Sequence, residues 1–316
     1  CLDSLLAQKL KDIEIIVVND GSTDSSADIA AEYAARDSRV RLISKENEGY
    51  GKTMNRGFSE ARGEYVGIVE SDDFADPRMF KDMYKFAKKH DLDLVKANYY
   101  EHSDAGDVFQ EPFAGFAYKT VFDPRVDQRA LTVLPIIWSA LYRREMIERE
   151  RLRLVSGLKM AEDALFNLEA ALCAREIAYV HRVAYRYRIH SQSATGSRRG
   201  GEWETHRPWL IAMRDMLLRR GELEPYYAPL LNSFVLRLYK DGGIGGVMRE
   251  FNGKVKPELA LDGLNRGRMT GYGRAVLALC RKGGYPAVYP LIAVCQMIKR
   301  KCGEAAFALR AEREKP

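Results

Sequence analysis

The residues with the clearest capacity for chemistry are acidic. Glu70-Ser71-Asp72-Asp73 ends the stretch Gly63 to Pro77, in which a short run of Tyr, Val and Ile gives way abruptly to carboxylates. The apolar run reads as a buried strand. Its carboxylates therefore leave the sheet at a strand's C-terminal end, the edge where open α/β sheets hold ligands. Such a cluster is costly unless a cation or hydrogen bonds offset the repulsion. Hard oxygen ligands with room for a diphosphate point to Mg²⁺ or Mn²⁺. The plainer alternative is a strand followed by an acidic helix start at Asp76-Pro77. That alternative accounts for Asp76 but not for Glu70, Asp72 and Asp73.

Two further segments have the composition of ligand loops. In Asn19-Asp20-Gly21-Ser22-Thr23-Asp24, a strand-end carboxylate precedes a glycine that lets the backbone turn sharply. Asp20 there suits acceptance of a hydrogen bond from a nucleotide base. Asp24 is better read as a helix cap. In Asn47-Glu48-Gly49-Tyr50-Gly51-Lys52-Thr53-Met54-Asn55, two glycines and two amides precede or open a helix. Such a place suits a base or a diphosphate, although the spacing is not that of a Walker A loop. A third acidic pair, Glu162-Asp163, reads on its own as a helix start favoured by the macrodipole.

These segments must be carried by strands and helices in alternation. Leu2 to Gln8 has the pattern of a short helix. Ile13 to Val18 is a β-branched run expected as a central parallel strand. A helix carrying Ile29, Ala30, Tyr33 and Ala34 on one face is expected after Asp24 and Ser25, and further helices are expected over residues 52–61 (closed by Gly63), 77–90 and 160–173. The last would bury Leu165, Phe166, Leu168, Ala171 and Leu172. Further strands are expected at 40–44, 92–98 and 183–189, and a hairpin strand at 115–118. This order predicts an α/β fold with a mostly parallel sheet flanked by helices. After about residue 200 the pattern becomes almost wholly helical. The chain is therefore divided at 1–200 and 201–316.

The bulk composition narrows the classes. The chain has 316 residues and a net charge of +6, from 50 basic and 44 acidic side chains. That mild excess argues against a nucleic-acid partner and fits a nucleotide-sugar or an anionic membrane face. The five cysteines are scattered without a Cys-x-x-Cys pair, which indicates neither a zinc site nor a disulfide framework. A reducing cytoplasm is expected. Val288 to Ile298 is apolar and runs into Lys299-Arg300-Lys301, a pattern suited to peripheral contact with an anionic membrane or to packing on the rest of the chain.

Taken together, Asn-Asp-Gly-Ser-Thr-Asp, Asn-x-Gly-x-Gly-x-x-x-Asn and Gly-Glu-Tyr-Val-Gly-Ile-Val-Glu-Ser-Asp-Asp, in this order and spacing, resemble the family-2 inverting glycosyltransferases of the GT-A fold. The resemblance covers roughly residues 1 to 195. It implies a Rossmann-like nucleotide-sugar domain, a UDP-sugar donor and a cell-surface glycan or lipid-linked acceptor. Asp20 would read the uracil, with Asn47, Gly49 and Asn55 in the uridine pocket wall. Asp72 would bind the metal, Glu70 would sit near the ribose, and Asp73 would help the metal or the sugar. Glu70 stands where the family more often has Asp. Asp163 resembles the catalytic base, with Glu162 beside it. Trp138 resembles a residue bordering the acceptor, and His190 lies in a loop that could reach the metal or a phosphate. The family also begins with an apolar strand and turn that this sequence lacks, so the chain is expected to be cut at its N-terminus. Two rival readings are a nucleotide-sugar-binding protein without transfer activity and a nucleotidyltransferase.

Overall fold

The computed structural model describes residues 1–127, 130, 136–158, 162–190, 203–222, 274, 275, 277 and 278. The chain divides into two compact units, Cys1–Ser197 and Arg198–Pro316.

The first unit opens with α1 (Leu2–Leu6), β1 (Ile15–Asp20), α2 (Ser26–Arg36) and β2 (Val40–Lys45). The β-branched residues of β1 place it beside β2 in parallel, with Ile15 opposite Val40 and Asp20 opposite Lys45. Asp24 accepts the Ser26 N–H at 3.0 Å, so it serves the helix start as expected. Helix α3 (Tyr50–Glu60) begins at Gly49, whose φ of 89° is open to glycine and strained for other residues. It ends at Ala61, where the backbone turns extended. Gly63, expected to close this helix, instead donates its N–H to Glu14.

Strand β3 is only Tyr65–Gly67, and the chain then leaves the sheet before the two-residue β4 (Phe74–Ala75). Helix α4 (Met79–Lys89) buries Met79, Met83 and Ala87, four residues apart on one face. The central strand β5 (Leu94–Ser103) is followed through a tight turn by β6 (Gly106–Gln110) and then β7 (Val121–Phe122). The unit continues with β8 (Ala140–Arg143), α5 (Arg144–Arg149), α6 (Glu162–Cys173) and β9 (Ile177–Arg188). The strand expected at 115–118 is a turn region, in which Phe113 and Phe116 pack on the ring of Tyr179. Leu168 is only partly buried, and Asn167 and Glu169 are buried in its place on α6.

Strand order in the larger sheet is β3-β8-β5-β9-β4, with β6 added to β5 and β7 to β9. The sheet is mixed rather than mostly parallel. The strand–helix–strand crossover through α2 gives the parallel pair β1·β2, and β9, entering after α6, runs parallel to β5. The short β5–β6 turn and the insertion of β8 between β3 and β5 make those neighbours antiparallel. Tyr142, Phe166, Tyr179, Tyr185 and Leu94 lie fully buried around this sheet.

One polar group lies inside the core at the N-terminal end of β5. Asp93 is fully buried and accepts hydrogen bonds from the backbone N–H and guanidinium of Arg175, with Arg143 Nε at 3.1 Å. It ties α6, β8 and β5 together.

In the second unit, α7 (Trp203–Arg219) is described, with Pro208 inside it and Trp209, Met216 and Leu217 buried. The segment Val288 to Ile298 lies outside the described residues. Among the described residues no helix is long and apolar enough to cross a membrane.

Candidate functional site

Three chain segments meet at the C-terminal ends of β1 and β3. The first is the loop between β2 and α3, which Asp20 holds in shape. One oxygen of Asp20 accepts from the Lys45 ammonium and the Glu48 N–H, and the other accepts from the Gly49 N–H at 2.9 Å. Burial alone would raise its pKa, but these donors hold it at about 2. Asp20 therefore stays ionised and pins the loop. Gly21 (φ 68°) is required beside it, because a Cβ there would stand 2.7 Å from the Asn47 nitrogen. Gly21→Ala should destabilise the first unit by about 2 kcal/mol through left-handed strain and this close approach. Urea denaturation would check that value.

Asn55, expected in the uridine pocket wall, has both ends of its amide committed. It donates to the Leu154 carbonyl at 2.8 Å and accepts the Leu154 N–H at 2.9 Å. The pair clamps the 154–156 segment against Gly51, whose Cβ position lies 3.4 Å from the Val155 carbonyl oxygen. Asn55 thus positions the wall of the site rather than presenting its amide to a ligand.

The second segment is the acidic turn after β3. The Asp73 N–H donates to the Glu70 carbonyl, closing the turn. Asp73, expected near the metal or the sugar, is fully buried. Its two oxygens accept from the Tyr185 hydroxyl at 2.6 Å and the Arg188 N–H at 2.8 Å. Both acceptors are taken by the fold, so Asp73 anchors the turn to β9. Tyr185 also accepts the Glu70 N–H at 3.1 Å, which makes it the central fastener. Tyr185→Phe would strand a buried carboxylate oxygen and a backbone donor. It should cost about 2 kcal/mol, measured by the shift in urea midpoint at constant m.

Glu70 and Asp72 have other partners. Glu70 accepts from the Tyr50 hydroxyl at 2.7 Å. Burial, then the charges of Asp73, Asp72 and Asp163, push its pKa up to about 7 in spite of the Tyr50 hydrogen bond. Asp72 is half exposed and lies 3.1 Å from His190 Nε2, at the end of β9. The loop histidine and the acidic turn are thus brought together. The rest of that loop, from 191 to 202, lies outside the described residues.

The third segment is the first turn of α6. Asp163 is close enough to shift the titration of Glu70 and Tyr50, so the α6 carboxylates and the acidic turn border the same space. Burial and the neighbouring Asp163 charge raise the Glu162 pKa. Trp138, expected at the acceptor, is a core residue only 9% exposed. Its ring is stacked with Tyr185 at 4.5 Å and Tyr187 at 5.3 Å, and Tyr99 meets it edge-on. It buttresses Tyr185 instead of offering a face to a sugar.

Among the described residues, no group of three or more His, Cys, Asp or Glu is arranged to hold a metal ion. Asp72 with His190 nevertheless fits a cation that a diphosphate would share. Mg²⁺ and Mn²⁺ in such sites take one or two protein ligands and complete their shell with phosphate oxygens and water.

The geometry agrees with the sequence comparisons. Residues 1–150 match the model of Glycosyl transferase family 2. The match covers 150 of the chain's 316 residues. The chain is similar to EpsH of Bacillus subtilis (strain 168), a protein provisionally named a glycosyltransferase. The two are 39% identical over 204 residues, which is 61% of this chain and 57% of EpsH. EpsJ of the same organism, an uncharacterized glycosyltransferase, is 36% identical over 200 residues, covering 62% of this chain and 58% of EpsJ. The chain thus spans less than two-thirds of the length of these relatives. Among solved structures, S. aureus TarS 1-349 in complex with UDP-GlcNAc superposes with a TM-score of 0.65 at 20% identity. That match covers 92% of this chain and 85% of TarS 1-349. At that identity the likeness establishes the GT-A fold.

Proposed function

We propose that the protein is a metal-dependent, inverting glycosyltransferase. It would move a hexose or N-acetylhexosamine from a UDP-sugar to a cell-surface glycan or lipid-linked acceptor. The observation that carries this reading is the convergence of Asp163 with Glu70 and Tyr50, beside the Asp72–His190 pair. A leaving-group site and a base are thereby set against one space.

The roles follow from the chemistry. The β2–α3 loop, held by Asp20 through Glu48 and Gly49, forms the nucleoside side of the donor pocket together with Asn47. Glu70, braced by Tyr50, lies on the ribose side. Asp72 and His190 would hold Mg²⁺ or Mn²⁺, whose charge offsets that of the departing diphosphate. Mn²⁺ suits this pair better than Mg²⁺, because Mg²⁺ prefers an all-oxygen shell. Asp163 takes the proton of the acceptor hydroxyl as its oxygen forms a bond to the anomeric carbon. The bond from that carbon to the UDP oxygen breaks on the opposite face, its electron pair leaves with UDP, and the configuration inverts. Glu162 lies next to the base and shapes the acceptor side.

TarS is crystallised with UDP-GlcNAc, which supports UDP as the nucleotide. Action in the cytoplasm, with peripheral contact at the inner face of the membrane, accords with a lipid-linked acceptor and with the net charge of +6. The test is titration calorimetry of UDP with and without Mn²⁺ on the wild type and Asp72→Ala. Metal-dependent binding that weakens at least about tenfold in the variant is expected. Equal binding in all four conditions would remove the metal from the reading.

A further inference from the structure

A buried lysine stands beneath the proposed base. Lys96 lies in the middle of β5 and is 7% exposed. Among the described residues, its one hydrogen-bond partner is Asn167 Oδ1, at 2.6 Å. The same oxygen accepts from the Tyr142 hydroxyl at 2.8 Å, and the Asn167 amide nitrogen donates to the Asp163 carbonyl at 2.9 Å. β5, β8 and the first turn of α6 are thereby joined by one polar chain that ends at Asp163. A core position served by a single hydrogen bond is a poor place for an ammonium group if its purpose is stability, since burial penalises the charge. A leucine or methionine would pack the strand at lower cost.

We infer that Lys96 is a positioning residue for the transfer reaction. It would fix the first turn of α6 through Asn167, and its positive charge would keep the Asp163 carboxylate ionised among its acidic neighbours. This inference rests on the assignment of Asp163 as the base. Among the described residues, the groups coupled to Asp163 include Glu162 on its own helix, Tyr50 on α3, Glu70 after β3, Lys96 on β5 and Tyr142 on β8. Of these, Glu162 favours the protonated carboxyl, and Lys96 is a cation that opposes it. Asp163 is in turn the one charge that supports the ammonium, whose pKa burial lowers to about 7. In the acid range where a carboxylate base titrates, Lys96 carries its proton.

The experiment is a carboxyl ¹³C NMR titration of Asp163, assigned with Asp163→Asn, in the wild type, Lys96→Met and Lys96→Gln. The pH profile of kcat/KM for UDP-sugar turnover is measured beside it. Removal of the charge should raise the Asp163 pKa and move the acid limb of the profile upward by about one pH unit. Lys96→Gln separates charge from structure, because glutamine can still donate to Asn167. A charge effect shifts both variants, whereas a purely structural bond is restored by glutamine. The wild-type Asp163 signal should also show a second inflection near neutral pH as Lys96 loses its proton, one that persists in Glu70→Gln, and this readout survives if a Lys96 variant fails to fold. A single-step titration in the wild type or in Glu70→Gln, or an Asp163 pKa unmoved in both folded Lys96 variants, would overturn the inference. Failure of the wild type to turn over any UDP-sugar would instead count against the transferase reading, and the NMR titration would still decide the coupling.

Discussion

Asp163→Asn should lower the rate of sugar transfer by about 10² to 10⁴-fold and leave UDP affinity within about threefold. Asparagine keeps the shape of the side chain but cannot take the acceptor proton during attack. The loss therefore belongs in kcat, with KM for the donor nearly unchanged. Glu162→Gln is the control. Glu162 shares the first turn of α6, and its carboxyl titrates high because of burial and the Asp163 charge. Loss of its charge should change kcat by less than about tenfold. Initial rates of UDP release at saturating donor would measure both variants. Equal losses in the two would mean that the pair acts as an acidic helix start and not as a base with a neighbour.

The largest effect on stability is expected at Asp93→Asn. Burial alone would raise the pKa of this carboxyl, but the Arg175 N–H groups and the nearby Arg143 charge outweigh that and hold it below its ordinary 3.8. Asparagine turns one acceptor into a donor facing guanidinium hydrogens in a fully buried position. Breaking such a pair costs about 3 kcal/mol, which corresponds to a fall in Tm of about 8 °C for a unit of this size. The sign of the pH dependence follows from the lowered pKa. The carboxylate stabilises the fold fully at pH values above its unfolded pKa, and that contribution is lost as pH falls through the lower folded value. The gap in stability between wild type and variant should thus be constant from pH 8 to about pH 5 and close progressively in more acid solution. Denaturant titrations across that range would show whether it does.

Both substitutions depend on neighbours that differ in how far the sequence announces them. The acidic turn was legible because carboxylates crowded at one strand end repel one another, a cost that a ligand site offsets and a plain turn does not. What the sequence could not show was direction. Asp72 and Asp73 are adjacent in the turn, and the pairing of Asp73 with Tyr185 and Arg188 buries it while Asp72 stays exposed. Asn55 and Trp138 illustrate the same limit. Their types suit ligand contact, but one is spent on the Leu154 backbone and the other on an aromatic stack. Tyr50 and Tyr185 gave no sequence signal, because their partners lie 20 and about 115 residues away. Lys96 reads in sequence merely as a polar break in a strand.

The fold was readable to a similar depth. The helix expected over 77–90 appears as Met79–Lys89, and the helix expected after Asp24 appears as Ser26–Arg36, although Ile29 on its expected apolar face is exposed. The parallel pairing of β1 with β2 follows from the crossover helix between them. The antiparallel entry of β8 between β3 and β5 has no local signature. It depends on a chain segment some 75 residues beyond β3 returning to the sheet, a non-local choice that periodicity does not encode.

The most direct test is release of UDP from a panel of UDP-hexoses and UDP-N-acetylhexosamines in the presence of Mn²⁺, with and without glycan or lipid-linked acceptors. Wild type and Asp163→Asn would be assayed side by side. Release of UDP from at least one donor, stimulated by an acceptor, dependent on Mn²⁺ and lost in Asp163→Asn, is the predicted result. A folded protein that binds UDP but releases none from any donor would identify a nucleotide-sugar-binding protein. Release of pyrophosphate from a nucleoside triphosphate in place of UDP would contradict transfer of sugar altogether.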